Sequence, residues 1–234
     1  MTVRMDRIKS GIPGLDKLLH GGIPKGQLLL LTGTAGTGKT IFGMQFAHAG
    51  AAKLNENAVY LSFEEPADAL KANVAAFGWD LEALERAGKL TFIRYDPYRI
   101  EDAFDILEST IRETQAQRVV VDSISALGLY IRDKAELRKA IFDLSLTLRK
   151  LGGTPLLISE IVAGTKGLSR YGVEEFVADG VIVLYYERLH ATFSRGLQVW
   201  KLRGSPHDPT IRPYEITDAG FSVHTDHEAF LKER

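Results

Sequence analysis

The sequence predicts an α/β fold in which a mostly parallel central sheet is flanked by helices and finished by antiparallel strands. Three observations predict it. As far as Ile158, apolar runs of strand length alternate with stretches of helical period. A glycine-rich octapeptide, Gly33-Thr34-Ala35-Gly36-Thr37-Gly38-Lys39-Thr40, stands between an apolar run and a helical one. From Gly180 onward apolar runs follow one another across short turns with no helix between them, the pattern of hairpins.

Taken in order, Ile8 to Lys25 is dense in glycine and proline and reads as turns around a short helix through Leu18 and Leu19. Gln27-Leu28-Leu29-Leu30-Leu31-Thr32 is a buried parallel strand, and Ile41 to Leu54 is a helix. Ala58 to Phe63 is a second strand, closed by Glu64-Glu65-Pro66, where Pro66 suits the first turn of a helix. Helices follow over Ala67 to Phe77 and Leu81 to Ala87, split by Gly78-Trp79-Asp80, and Leu90 to Arg94 is a strand. Ile100 to Gln115 carries Phe104, Leu107 and Ile111 at helical spacing. Val119-Val120-Val121 is a buried strand, Ala135 to Leu151 a long helix with Leu137, Ile141, Leu144 and Leu148 on one face, and Pro155 to Ile158 another strand. Val181 to Tyr186, Gly196 to Leu202, Ile211 to Ile216 and Gly220 to Val223 complete the hairpins. Residues 226–234 are polar and expected to be loosely held. No repeat, low-complexity tract or linker divides the chain, so a single domain is expected over 1–234, with its core about 6–223.

Composition narrows the function classes. The 234 residues are 45% hydrophobic, enough for a sizeable α/β core. A net charge of −1 gives no general attraction to nucleic acid or anionic membrane. With no cysteine, disulfides, thiolate metal sites and cysteine nucleophiles are excluded. Neither a signal-peptide core at Met1 to Arg7 nor a run long enough to cross a bilayer is present, which leads us to expect a cytoplasmic protein without membrane contact.

The octapeptide fits a phosphate-binding loop: glycine, four free positions, then Gly-Lys-Thr. Its glycines let backbone N–H groups turn toward phosphate oxygens, and the helix behind points its positive end at the anion. Lys39 would reach the β- and γ-phosphates of ATP, and the Thr40 hydroxyl would take one place on Mg²⁺. Asp122 ends the strand Arg118-Val119-Val120-Val121-Asp122. There it would hold the same Mg²⁺, often through a water; read alone it is equally a helix N-cap. Glu64 ends the neighbouring strand, where a carboxylate would polarise a water for attack on the γ-phosphate. Glu65 alternates with it, so one of the two faces the nucleotide. The competing reading is a pair of acids at the head of the Pro66 helix. Ser159 and Glu160 end the next strand, placed to sense γ-phosphate or water, or simply to solvate a strand end.

At this point a resemblance becomes specific. Glu64-Glu65, Asp122-Ser123, the run from Tyr171 to Gly180 and Lys201-Leu202-Arg203-Gly204-Ser205-Pro206-His207 together resemble the KaiC-type branch of the RecA/RadA ATPase superfamily. The likeness runs from about residue 6 to about residue 223 and extends to single-domain RadA paralogues of archaeal type. It implies a RecA-like sheet and head-to-tail rings, commonly hexamers, with ATP between subunits. Lys39 and Thr40 would serve their own subunit's nucleotide, Glu64 matches the water-activating glutamate, and Lys201 and Arg203 match cations that reach the neighbour's γ-phosphate. His207 belongs to the same motif. Lys201 and Arg203, two apart on a strand, share one face; without the resemblance they would read as a solvated face. The segment from Ser123 to Tyr130 lacks the adjacent Ser-Thr pair of KaiC's phosphorylation site, and the chain has room for one ATPase domain where KaiC has two. The DNA-binding module that precedes the core of RadA recombinases is absent from this sequence.

Two stretches follow strands that line the central hole of such rings. They are Leu127 to Lys139 and Val162 to Tyr171. Lys166, Arg170 and Tyr171 would suit a loop that touches single-stranded DNA through phosphates and stacking, against the plainer reading of an ordinary surface loop. The sequence therefore supports two roles: an ATPase ring that modulates DNA recombination or repair, or a nucleotide-gated assembly or signalling scaffold that binds another protein and no DNA.

Overall fold

The computed structural model describes residues 5–95, 100–189 and 192–229. The opening residues 1–4 and the last five residues of the expected loose tail, 230–234, lie outside that set. Residues before them are tied back: Ala229 N donates to Ile211 O, and Arg212 Nη1 to His227 O.

The first strand of the main sheet, β3, spans Leu29–Gly33 and is buried along its length. Two short strands precede it, β1 (Arg7–Ile8) and β2 (Ile23–Pro24), paired with each other, with α1 (Leu15–Leu18) between them. After β3 come α2 (Lys39–Lys53), β4 (Ala58–Ser62), α3 (Ala67–Val74), α4 (Leu81–Arg86) and β5 (Leu90–Arg94). Then follow α5 (Ile100–Thr114), β6 (Arg118–Asp122), α6 (Lys134–Lys150) and β7 (Thr154–Glu160). The four-residue α7 (Glu174–Val177) leads into β8 (Gly180–Leu189), β9 (Thr192–Leu202), β10 (Arg212–Thr217) and β11 (Gly220–Val223).

These strands form one nine-stranded sheet in the order β11-β10-β9-β8-β3-β7-β6-β4-β5. Every pairing from β8 to β5 is parallel, and β9, β10 and β11 add antiparallel. The two faces bury alternate residues of each strand, as the strand period of two requires. One face, with Leu29, Leu31, Tyr60, Val120 and Ile158, is covered by α2, α3 and α4. The other, with Leu28, Leu30, Val59, Val121 and Leu157, is covered by α5 and α6.

Element boundaries differ from the sequence reading in informative places. The helix expected over Ala67 to Phe77 stops at Val74 and tightens into a 3-10 turn over Ala75–Phe77 before Gly78, whose φ of +67° ends it. The hairpin strands β8 and β9 extend past their apolar runs and stay paired through Glu187 with Ser194 and Leu189 with Thr192. The 3-10 turn at Ile124–Leu129 and α7 were not expected, being shorter than any periodicity can reveal.

Arg118 binds the chain's early turns to the core. It is fully buried, pairs with Glu56 at 2.6 Å and donates to the carbonyls of Ser10, at 3.2 Å, and Phe46, at 2.8 Å. The carbonyl of Lys9 takes a further bond from Nη2.

A candidate nucleotide site at the carboxyl ends of the strands

The chain leaves β3 at Gly33 and turns through 34–38 into α2. Gly36 and Gly38 hold φ of +79° and +85°, left-handed values that penalise any residue with a Cβ. Thr37 is buried and its hydroxyl donates to Thr34 O at 2.8 Å, closing the loop on itself. Lys39 Nζ donates to the same carbonyl at 3.0 Å. Thr34 and Gly33 form the near wall, while Ala35 and Gly36 are exposed at the tip. A strand far along the chain holds the loop from behind. Tyr214 on β10 donates its hydroxyl to Thr37 O at 2.7 Å, and its ring stacks on Phe221 of β11 with centroids 4.4 Å apart. Gln45 on α2 bonds both the N–H and the C=O of Phe221, fixing α2 to the same hairpin.

The register of the parallel strands brings the other residues to this loop. Ser62 lies opposite Asp122, and Gly33 opposite Glu160. Asp122 and Glu160 share the sheet face that α2 covers, since Val120 and Ile158, two residues earlier, are packed there. Asp122 accepts the Tyr60 hydroxyl at 2.6 Å, and the nearby Thr40 hydroxyl favours its charged form. Burial pushes the Asp122 carboxyl up from its ordinary range, against the stabilising effect of Tyr60 and Thr40. Burial likewise pulls the Lys39 ammonium down, against the opposing pull of Glu160, Asp122 and Glu64. One ammonium thus faces three carboxylates in one crevice.

Glu64 and Glu65 diverge. Glu64 Oε1 accepts the Ser123 hydroxyl at 3.1 Å, which holds it beside the end of β6. Glu65 Oε2 accepts from Asn73 Nδ2 on α3 at 2.8 Å. Tyr60 was not singled out from the sequence, and Ser123 was quoted only as part of the Asp122-Ser123 motif, with no role of its own. Their place depends on β4 pairing with β6, which residue order alone does not state.

Lys201 and Arg203 are not brought to this crevice. Gly180 at the start of β8 pairs with Leu29 on one side and Leu202 on the other, whereas Gly33 pairs with Leu184. Leu202, between the two cations, therefore lies four strand residues, or about 13 Å, below the loop at about 3.3 Å per residue. There Lys201 Nζ donates to Glu175 O at 2.6 Å and Arg203 Nη2 to Phe176 O at 2.9 Å. Buried Asp179 anchors the group: it accepts Leu28 N at 3.0 Å, pairs with Arg149 at 2.7 Å and lies 3.6 Å from Arg203 Nη1. His207 follows on the next turn, its Nδ1 3.5 Å from Ser205 O.

Two of the three residues read as DNA contacts are engaged within the chain. Arg170 pairs with Glu160 at 2.7 Å. Tyr171 donates to Ser125 O at 2.9 Å and packs its ring end against Gly128. Lys166 stands exposed.

A phosphate loop opening a helix, with acids gathered at the ends of a parallel RecA-like sheet, defines a P-loop nucleotide-binding protein. Residues 8–228 match the family described as "ATPase: KaiC", and the chain belongs to that family. It is 38% identical to a UPF0273 protein of Thermotoga maritima over 235 residues, which cover 93% of this chain and 96% of that one. A solved KaiC-like protein from Pyrococcus horikoshii superposes with a TM-score of 0.87 at 36% identity, covering 94% of this chain and 99% of that one. The circadian clock protein KaiC3 of Synechocystis is 36% identical over 226 residues, which span 92% of this chain but 45% of KaiC3. Membership supports ATP as the bound nucleotide. Among the described residues no helix is long and apolar enough to cross a membrane.

Proposed function

We propose that this protein binds ATP with Mg²⁺ and hydrolyses it at a seam between two copies of itself, in a head-to-tail ring commonly of six. The observation that carries this is the separation just described. Lys39, Thr40, Asp122 and Glu64 converge at one end of the strands, while Lys201 and Arg203 lie at the other, bonded to the carbonyls of Glu175 and Phe176 with the Arg203 side chain half exposed. A cation that serves γ-phosphate chemistry from there acts on a neighbour's nucleotide. An open groove of about 650 Å³ beside Arg203 adds support. Its wall exposes half of Phe142 and 58% of Phe176 among Arg138, Leu146 and Arg149.

The donors fit Mg²⁺. Thr40 and Asp122 offer a hydroxyl and a carboxylate, hard oxygens suited to that ion. Bound there, Mg²⁺ would neutralise charge on the phosphates. Backbone N–H groups of residues 34–40 and the head of α2 would hold the phosphates, with Lys39 on the outer ones. Glu64, steadied by Ser123, would orient the attacking water and take its proton. Arg203 and Lys201 of the next subunit would meet the charge that develops on the transferred group. We read Glu65 as support for α3, and His207 as part of the turn that presents Arg203.

For the ring's target we favour a nucleotide-gated scaffold that binds another protein, because Arg170 and Tyr171 are already committed within the chain. A DNA-directed role, with the kinship to RadA paralogues it implies, rests on exposed Lys166 and its neighbours. Filter binding of single-stranded DNA across salt, with and without ATP, separates the two. Lys39→Ala is expected to abolish ATP binding measured by calorimetry, and light scattering is expected to report larger assemblies with ATP and Mg²⁺. Undiminished ATP binding by Lys39→Ala would refute the site.

A further inference from the structure

Arg170 lies at the far end of a loop whose first part, 162–167, is exposed throughout. Its guanidinium donates to Glu160 Oε2 at 2.7 Å. Glu160 ends β7 in register with Gly33, and the next residue, Ile161, donates its N–H to Gly33 O at 3.0 Å. This carboxylate is therefore joined to the foot of the phosphate loop. Its own N–H is fixed by Ser125 Oγ at 2.9 Å. Of the carboxylates that act on Lys39, Glu160 pulls hardest.

The backbone that carries the arginine is held on both sides of it. Ser169, one residue before, donates to the buried Glu174 at 2.6 Å, touches Glu175 and accepts Gly172 N at 3.2 Å. Tyr171, one residue after, is pinned to Ser125 O and Gly128. Glu174 also accepts Ser159 Oγ at 3.0 Å, and Ser159 lies 3.3 Å from Ser125. A buried chain of hydroxyls thus fixes the arginine's loop to the strand end that carries its partner. Such over-determined placement is expected of a side chain whose position matters, since a freely moving surface arginine needs none of it.

The charge balance gives this pair a task. Within one chain, the charges of Glu160, Asp122 and Glu64 all act on the Lys39 ammonium, and a nucleoside triphosphate adds several more negative charges. A free carboxylate near the outermost phosphate would repel it strongly in a half-buried crevice. We propose that Arg170 is a positioning residue of the nucleotide site. By holding and neutralising Glu160 it admits the terminal phosphate beside Lys39, and so sets the preference for triphosphate over diphosphate. This rests on the nucleotide-site reading above.

The test is titration of fluorescent ATP and ADP analogues, with Mg²⁺, into wild type, Lys39→Ala, Arg170→Ala, Arg170→Lys and the double variant Glu160→Gln/Arg170→Ala. Arg170→Ala is expected to weaken ATP about ten-fold and ADP by no more than about two-fold, the size of one screened charge interaction lost at the outer phosphate. Arg170→Lys should stay near wild type. The double variant should recover ATP binding, since removing the carboxylate removes the need for its partner. An unchanged ATP-to-ADP ratio in Arg170→Ala, equal losses for both nucleotides, or no recovery in the double variant overturns the inference. If Arg170→Ala does not fold, as melting temperatures will show, Arg170→Lys and the double variant carry the same comparison. A wild type that binds neither nucleotide, or a Lys39→Ala that binds like wild type, removes the nucleotide site itself and this inference with it.

Discussion

Glu64 and Glu65 are adjacent in the chain and part company in space, one held by Ser123 and the other by Asn73. That divergence makes the choice of catalytic base testable. Glu64→Gln keeps the Ser123 contact and the volume of the side chain but removes the basic oxygen. Hydrolysis, followed by phosphate release, is expected to fall about 10²–10⁴-fold with ATP affinity nearly unchanged. Glu65→Gln should stay within a few-fold of wild type, and the reverse outcome would move the base to Glu65. The sequence narrowed the base to these two residues and stopped there, because alternation along a strand says that they oppose each other, not which face meets the loop. For Arg170 and Tyr171 the limit was different. Basic and aromatic residues in a glycine-rich loop look the same whether they await a ligand or are already paired, and the partners Glu160, Ser125 and Gly128 come from strands and turns elsewhere in the chain.

At the scale of elements, α2 does two jobs: its first turn opens the phosphate site and its body packs under α4 and β11. His48, on its far half, stacks on Trp79 with ring centroids 4.9 Å apart. Burial, and then the nearby Lys53, lower its pKa from 6.5 to about 4. The folded protein thus resists a proton that the unfolded chain accepts. The stability associated with neutral His48 is complete above about pH 6.5 and is lost as pH falls toward 4. Discounted for the ring's partial exposure, the loss is about 1–2 kcal/mol. Urea midpoints measured from pH 7 to 4 should therefore fall less steeply in His48→Gln than in wild type; equal slopes would show that this ring is not the group responsible. The longer elements around α2 were legible because their apolar period spans several turns or a full buried strand. Short pieces such as α7 and the turn at Ile124–Leu129 were not, since one turn of helix has no period to detect.

For the whole molecule, the parallel order was readable from alternating strands and helices, and with it the rule that ligands gather at the strands' carboxyl ends. The opposite placement of Lys201 and Arg203 was not: it follows from β9 running back along β8, which returns the motif to the end of the sheet where the parallel strands begin. If those cations act across a seam, Arg203→Ala and Lys39→Ala should each be inactive alone and regain part of the ATPase rate when mixed, because some seams then combine an intact loop with an intact arginine. Absence of any recovery, with assembly intact by light scattering, would argue for action within one chain.

The hydrogen bond from Tyr214 to Thr37 has a consequence for how this molecule is made. Its two ends lie 177 residues apart in the chain. A ribosome will have extruded the whole phosphate loop, and most of the sheet, well before the tyrosine that braces it emerges. During synthesis the nascent chain carries the signature of an ATP binder without its support, and it matures into one when the late hairpin folds back onto the cradle.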